Sequence, residues 1–517
     1  MNRLKNFTLN ALILGGVTIL NRAIAVIFNA YVSNKIGAEG MGLYALTSSA
    51  YIFAVTLATS GINLAVTRLV SEELALENGK GAIGAMRRCL IYAAIFGSVS
   101  SLSLFFGARY IADELLGDGR TYLSLRFFAL ALPFIAISNV FAGYFNAVRR
   151  AYKSASSNVI EQFIKIAVTV ALLGAMLPRG TEYACAALVG GTCISEGLSF
   201  VYLLIFYLID KKKHIRPKNV SGSPALTRRM IGIAVPIALS SYLRSGLTTI
   251  EHVLIPRGMR KYGADLSTSL AAYGVVHGMA LPIVLFPAAV SAVYATLIVP
   301  ELSELAAQRD RIRGDVHISY IARRSVKFGL IFSLGTAAVM FAFAPYLGEV
   351  IYGNYETGKY IRILSLIIPV MYLDTIVDGM LKGLGEQLAS MEYNIIDAAV
   401  SVVLVLIAVP ELGIDGYVIT IFVTEILNGA LSLARLKKVV GFRVDLSECL
   451  IMPLICGAAS SAAAYISGMF VNYDNGLILA GGIVIQSAMY LALLRLCGAV
   501  NSDDTKWLRS AVTVKSN

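Results

Sequence analysis

Runs of about 20 apolar residues, each long enough to cross ~30 Å of hydrocarbon as a helix, recur along the whole chain between short polar segments. Read with the Pro and Gly breaks, they predict about fourteen helices near 8–32, 41–64, 89–112, 121–146, 157–177, 183–209, 229–255, 268–299, 325–347, 359–383, 390–410, 414–436, 447–470 and 476–497. The fold class is therefore an all-α polytopic membrane protein. The first run is too long for the apolar core of a signal peptide and carries Asn21 and Arg22, so it reads as a retained helix.

Composition agrees with the pattern. Of 517 residues, 57% are hydrophobic and 15% charged, with a mean hydropathy of +0.71, against roughly a quarter charged in ordinary soluble domains. A formal charge of +12 would suit a nucleic-acid partner, but the cations sit in short loops between apolar runs, which is the pattern of membrane orientation. If the N-terminus is cytoplasmic, inner segments hold 31 Lys and Arg, outer segments and helix mouths hold 10, and Arg22, Lys165 and Arg244 fall inside helices. That bias places both termini in the cytoplasm and the chain in the plasma membrane; one outer segment, "PRGMRKYG", runs against it. The six cysteines are scattered without CxxC spacing and read as helix packing, with no metal site.

An internal repeat organises the helices. Adding 236 links Arg126 to Arg362, Pro133 to Pro369, Gly143 to Gly379, Ser154 to Ser390, Asn158 to Asn394, Ile160 to Ile396 and Glu161 to Asp397 without a gap. "SEELALENG" is echoed by "SELAAQRD", and Ser195-Glu196 by Thr424-Glu425. Six helices per repeat is an even number, so both copies enter the membrane from the same side and are related by an axis along its normal, as in secondary transporters. The expected division is an N-lobe over 1–209, a cytoplasmic linker over 210–227, a C-lobe over 228–440, and two further helices with a tail over 441–517.

Charges inside helices are the candidate chemistry. An arginine at the centre of a lone membrane helix costs ~2.5–3.5 kcal/mol or more, so it faces a bundle interior or a wet cavity. Arg22, beside Asn21, and Arg244 in the second lobe are the candidate anion-binding cations. Glu251, seven residues beyond Arg244, is the candidate to neutralise it. Lys165 follows Glu161 by four residues and reads as an internal ion pair. Asp374, Asp378 and Lys382 share one helix face, which makes the acids candidate ion or proton sites, with Glu196, Glu425 and Asp397 of the same kind. His277 reads either as an anion ligand or as hydrogen-bonded structure. Arg126 and Arg362 lie one turn inside helix ends and read as snorkelling side chains.

The chain has no GxxxxGK[ST] loop, HExxH, GxSxG or paired-Asp motif. This argues against ATP-driven transport by this chain and against enzymatic chemistry, so no catalytic residues and no cofactor are expected.

"NKIGAEGMGLYALTSSAY" after the first helix, "YGVVHGMALPIVLFPAAVSAVYATLIVPELSE" across the eighth, and six plus six plus two helices together resemble the stage V sporulation protein B branch of polysaccharide flippases. That superfamily also holds lipid II flippases and multidrug and toxin extruders. The resemblance implies two lobes around a central cavity that alternates between inward-open and outward-open states, with helices thirteen and fourteen forming a groove for a lipid tail. It also implies that Arg22 matches the first-helix arginine that faces the substrate pyrophosphate, and that His277 stands at the eighth-helix position. The second helix has no Lys or Arg, so the cationic lining is thinner than in lipid II flippases.

The leading expectation is a monomeric flippase of an isoprenoid-linked, pyrophosphate-bearing saccharide. It would be coupled to H+, Na+ or the membrane potential and would work beside glycosyltransferases and membrane lipids. A cation-coupled exporter of drugs or metabolites is the second reading. A membrane-embedded glycan polymerase or transferase is the third.

Overall fold

The computed structural model describes residues 2–214, 225–307, 312–442, 445–501 and 504, with backbone alone at 2–14, 212–214 and 312–315. Its helices are α1 (Asn2–Thr59), α2 (Ile62–Ala75), α3 (Gly79–Tyr110), α4 (Tyr122–Ala147), α5 (Ala151–Met176), α6 (Thr181–His214), α7 (Leu226–Tyr262), α8 (Leu266–Tyr273), α9 (Leu281–Leu285), α10 (Ala288–Ala307), α11 (Ile312–Tyr352), α12 (Tyr355–Ser365), α13 (Ile368–Gly383), α14 (Gln387–Leu412), α15 (Ile414–Val440), α16 (Met452–Ser467) and α17 (Gly476–Leu496). There is no strand among the described residues. Among them, 13 helices are long and apolar enough to cross a membrane, or up to 14 with the bent pair α12–α13 taken as one span.

Two boundaries differ from the pattern reading, at the eighth and tenth expected helices, while the first and second are both present within α1 and meet at a kink at Gly37, at φ 71°. A glycine enters that region without a Cβ clash. The eighth expected helix is divided by a π-helical turn over Gly274–Ala280 and a break at Phe286 and Pro287. The tenth bends by 58° between α12 and α13, where Pro369 removes a backbone donor.

The chain forms two compact units, the described residues of Met1–Ala38 with Ala271–Asn517, and Glu39–Leu270. This division differs from the chain-order halves, since the first helix groups with the later helices and α7 with the earlier ones. Most of the expected linker, 215–224, lies outside the described residues.

Close backbone approaches explain both groupings. A Cβ on Gly15 would stand 2.5 Å from Val293 of α10. Asn34 donates to the Ile351 carbonyl at 2.9 Å and the Tyr352 hydroxyl donates to Asn29 at 3.1 Å, tying the first helix to the end of α11. In the other unit, a Cβ on Gly61 would lie 2.2 Å from the Ala234 carbonyl of α7, and the Tyr242 hydroxyl donates to the Leu57 carbonyl at 3.1 Å.

The repeat recurs as physical contacts inside each unit. Gly143 of α4 lets the Asn63 carbonyl approach, and Gly379 of α13 lets Ala295 approach, each within 3 Å of where a Cβ would be. Arg126 stacks on Phe105 at 4.2 Å and Arg362 on Phe341 at 5.5 Å. The two phenylalanines are themselves 236 apart.

The N-cap residues of α5 and α14 are Arg150 and Glu386, again 236 apart. Arg150 pairs with Asp210 of α6, while Glu386 pairs with Arg435 of α15 at 2.7 Å. The same bridge is thus built with the charges exchanged. Lys153 at 3.1 Å and the Tyr144 hydroxyl at 2.9 Å also converge on Asp210, whose side chain is 2% exposed.

The two repeated prolines act differently. Pro133 sits inside an unbroken α4. It takes a donor from the carbonyl four residues back, Ala129, and the Ser101 hydroxyl of α3 supplies one at 2.7 Å.

Two outcomes follow. Asp210→Ala strands two cations and is expected to lower stability by about 3 kcal/mol, whereas Glu386→Ala at the half-exposed pair costs below about 1 kcal/mol; thermal unfolding in detergent compares them. Ser101→Ala is expected to cost about 1–2 kcal/mol. In a Pro133→Ala background, which returns an N–H to Ala129, that cost should shrink to a few tenths. Equal costs in both backgrounds would remove the hydroxyl from this role.

Candidate functional site

In the unit containing the first helix, an apolar groove of about 780 Å³ runs along α11. α11 lines it from Arg324 to Ile351, roughly 40 Å of helix at 1.5 Å per residue. Ala23, Val26 and Ile27 of α1, Phe286 and Pro287 at the α9–α10 break, and Ile483, Tyr490 and Leu491 of α17 complete its walls. Small residues let α16 and α17 seat on α11: a Cβ on Gly335 would stand 2.5 Å from the Tyr490 ring, and Ser461 donates to the Ala338 carbonyl at 2.9 Å. The Tyr490 hydroxyl is satisfied by the Ile331 carbonyl at 2.9 Å, so the groove keeps an apolar wall.

Arg22 is one turn before Val26 on the same helix face, at the rim of this groove. Its side chain is exposed, and among the described residues it makes no ion pair or hydrogen bond. Tyr372 of α13 is within its electrostatic range. Asn21 beside it has a buried side-chain oxygen with no hydrogen bond.

Arg244 of α7, in the other unit, is likewise exposed and makes no ion pair among the described residues. Tyr242 and Thr249 bond to the Leu57 and Ser49 carbonyls; Arg244, two residues from Tyr242, points away from that seam. Glu251 lies about 10.5 Å further along the axis, and no ion pair between it and Arg244 is present among the described residues.

The remaining candidates fall into separate groups. His277 lies in the π-helical turn, with Nδ1 3.1 Å from the Tyr417 hydroxyl and its ring stacked 5.1 Å from Tyr273. One nitrogen and one face are thus engaged in packing, the hydrogen-bonded arrangement. Asp374 accepts from Asn428 of α15 at 3.1 Å. Asp378 pairs with Lys382 at 2.5 Å and accepts from Ser390, which anchors α13 to α14. Asp397 and Glu425 are half-buried on α14 and α15 of the same unit.

Glu196 belongs to the other unit, where it forms an electrostatic cluster with Glu161 and Lys165. Glu161 lies beside Ser199, whose hydroxyl meets that of Ser157 at 2.8 Å. Lys165 thus faces two carboxylates instead of the single ion pair expected from spacing.

The pattern reading missed a cluster at the end of the groove where α17 stops. Arg324 and Lys327 of α11 meet Asp504, and Lys327 also meets Glu448 at 3.1 Å. The available signal was periodicity: Arg324, Lys327, Phe328 and Ile331 continue one stripe at helical spacing.

Comparison with known proteins places this geometry. The chain is 25% identical over 512 residues to stage V sporulation protein B of Bacillus subtilis, covering 97% of each. It is 20% identical to the lipid II flippase MurJ of the same organism, covering 93% of each. Among solved structures, a lipid II flippase MurJ in an inward closed conformation matches with a TM-score of 0.71 at 12% identity, over 93% of this chain and 98% of that one. An inward-facing multidrug resistance transporter of the MATE family matches with a TM-score of 0.60 at 16% identity, over 81% and 95%. These likenesses show that the chain shares the fold of both structures. The model of the family described as polysaccharide biosynthesis protein matches residues 7–298, more than half of the sequence, and the chain belongs to that family.

Proposed function

We propose that this protein is a flippase that carries an isoprenoid-linked, pyrophosphate-bearing saccharide, a polysaccharide or wall precursor, from the cytoplasmic to the outer leaflet by alternating access. The observation that carries the reading is Arg22, an exposed arginine with no ion pair or hydrogen bond among the described residues, in an expected membrane span beside the α1 residues that line a long apolar groove. A cation there meets water or an anion, and the groove beside it offers an isoprenoid tail an apolar slot. An amphiphile with an anionic head complements both. Arg22 is assigned as a donor to the head, and Arg244 as an anion donor within its own unit, since a guanidinium supplies a fork of charge-assisted donors to phosphate oxygens.

The names of relatives support the substrate class: the chain aligns nearly end to end with a lipid II flippase. No bond is made or broken in this reading, so no catalytic group is assigned. The Lys and Arg bias supports cytoplasmic termini. Asp374 with Asn428, and the Glu161–Lys165–Glu196 cluster, are assigned to cation or proton coupling that returns the empty carrier. We assign His277 to helix packing.

In vesicles holding a short-chain isoprenoid diphosphate saccharide, Arg22→Ala is expected to slow flipping about 10- to 100-fold, matching loss of one charge-assisted hydrogen bond. Arg22→Lys should recover part of it. Undiminished flipping by Arg22→Ala, Arg244→Ala and the double variant, at normal expression, would sink the assignment.

A further inference from the structure

The groove has one charged end. Along its length the hydroxyls of Thr336, Ser487 and Tyr490 are bonded to helix carbonyls, and the charged lining residues are Arg324, Lys327 and Asp504 at one end. These are not surface charges: the side chains of Arg324, Lys327 and Asp504 are 17%, 10% and 11% exposed. Asp504 is shared by both cations, bonding Arg324 through one oxygen and Lys327 at 3.0 Å through the other. Beyond the end of α17, the Asn501 N–H donates to its carboxylate at 3.0 Å.

The donors outnumber what this carboxylate can accept. Arg324 keeps a buried Nε with no hydrogen bond, while its guanidinium lies over Tyr320 at 5.3 Å. The other acid, Glu448, pairs with Lys327 at 3.1 Å and is 48% exposed.

We propose that Arg324 and Lys327 form a phosphate dock at the mouth of the groove, for the head of an isoprenoid phosphate whose tail lies along α11. Asp504 is its built-in competitor. The inference rests on the groove being a lipid-tail slot, as in the function proposed above. A carboxylate brings two acceptor oxygens and one charge. A diphosphate brings more of both, enough to engage the idle Arg324 donor as well as those now on Asp504. An anion with a tail also gains the apolar wall, so binding an isoprenoid phosphate displaces Asp504 where inorganic phosphate does not. The dock loads the amphiphile at the lipid face before its head reaches Arg22.

The test is calorimetric titration of the full-length protein in detergent with geranylgeranyl diphosphate, geranylgeraniol and inorganic pyrophosphate. Expected results are that the diphosphate lipid binds tightest, that Arg324→Gln and Lys327→Gln each weaken it about tenfold with little effect on the alcohol, and that Asp504→Asn tightens it about tenfold. The sign of the Asp504→Asn effect separates a displaceable competitor from a structural ion pair, which loses stability and gains no affinity. A melting curve for each variant shows that it is folded, and Arg324→Lys serves if Arg324→Gln is not.

If diphosphate lipid and alcohol bind alike and no variant changes either, the dock is overturned while the tail slot stands. If neither binds the wild type, both readings fall. If inorganic pyrophosphate binds as tightly as the lipid diphosphate, the site takes free phosphate and the proposal of a lipid dock is overturned.

Discussion

A peptide group has no water to bond with inside a bilayer, and the rest of this structure depends on how each backbone donor and acceptor is satisfied. Helices do this for most of the chain, so the informative places are the breaks. Pro133 keeps α4 straight because Ser101 of a neighbouring helix answers the Ala129 carbonyl. At the equivalent Pro369 the helix bends by 58° instead. One proline position thus lies within an unbroken helix in one repeat and beside a bend in the other.

Packing follows the same economy. Glycines at crossings let backbones approach where no apolar gain over lipid is available, which is why Gly143 and Gly379 recur at the repeat offset. Stacked arginines near the helix ends recur too, each on a phenylalanine that obeys the same offset. The arginines without such partners, Arg22 and Arg244, stand apart from this scheme, and that separates candidate function from architecture.

Much of this was legible in the sequence. Apolar run length showed the spans, because transfer into lipid depends on local composition. The repeat showed in single residues such as Pro133 and Pro369, because each performs a local backbone task. The division between the first two helices was legible too, because the polar stretch around Gly37 is where the chain kinks. The grouping of the first helix with α10 and α11 was not legible, since it depends on Asn29 and Asn34 meeting the end of α11. Asp504 and Lys327 meet across a separation of 177 residues, and no periodicity within either segment points to the other. His277 was ambiguous in sequence because its partner, Tyr417, lies 140 residues away.

The exchanged ion pairs at the starts of α5 and α14 bear on how a duplicated chain assembles correctly. Two halves with nearly interchangeable helices face a matching problem during insertion, since α5 could settle against α15 and α14 against α6. The polarity of the bridges decides against that error. Crossed partners would set Arg150 against Arg435 and Glu386 against Asp210, two like-charge encounters in place of two attractions. A reversal of sign that leaves each half's geometry intact gives each helix a means of identifying its own neighbour.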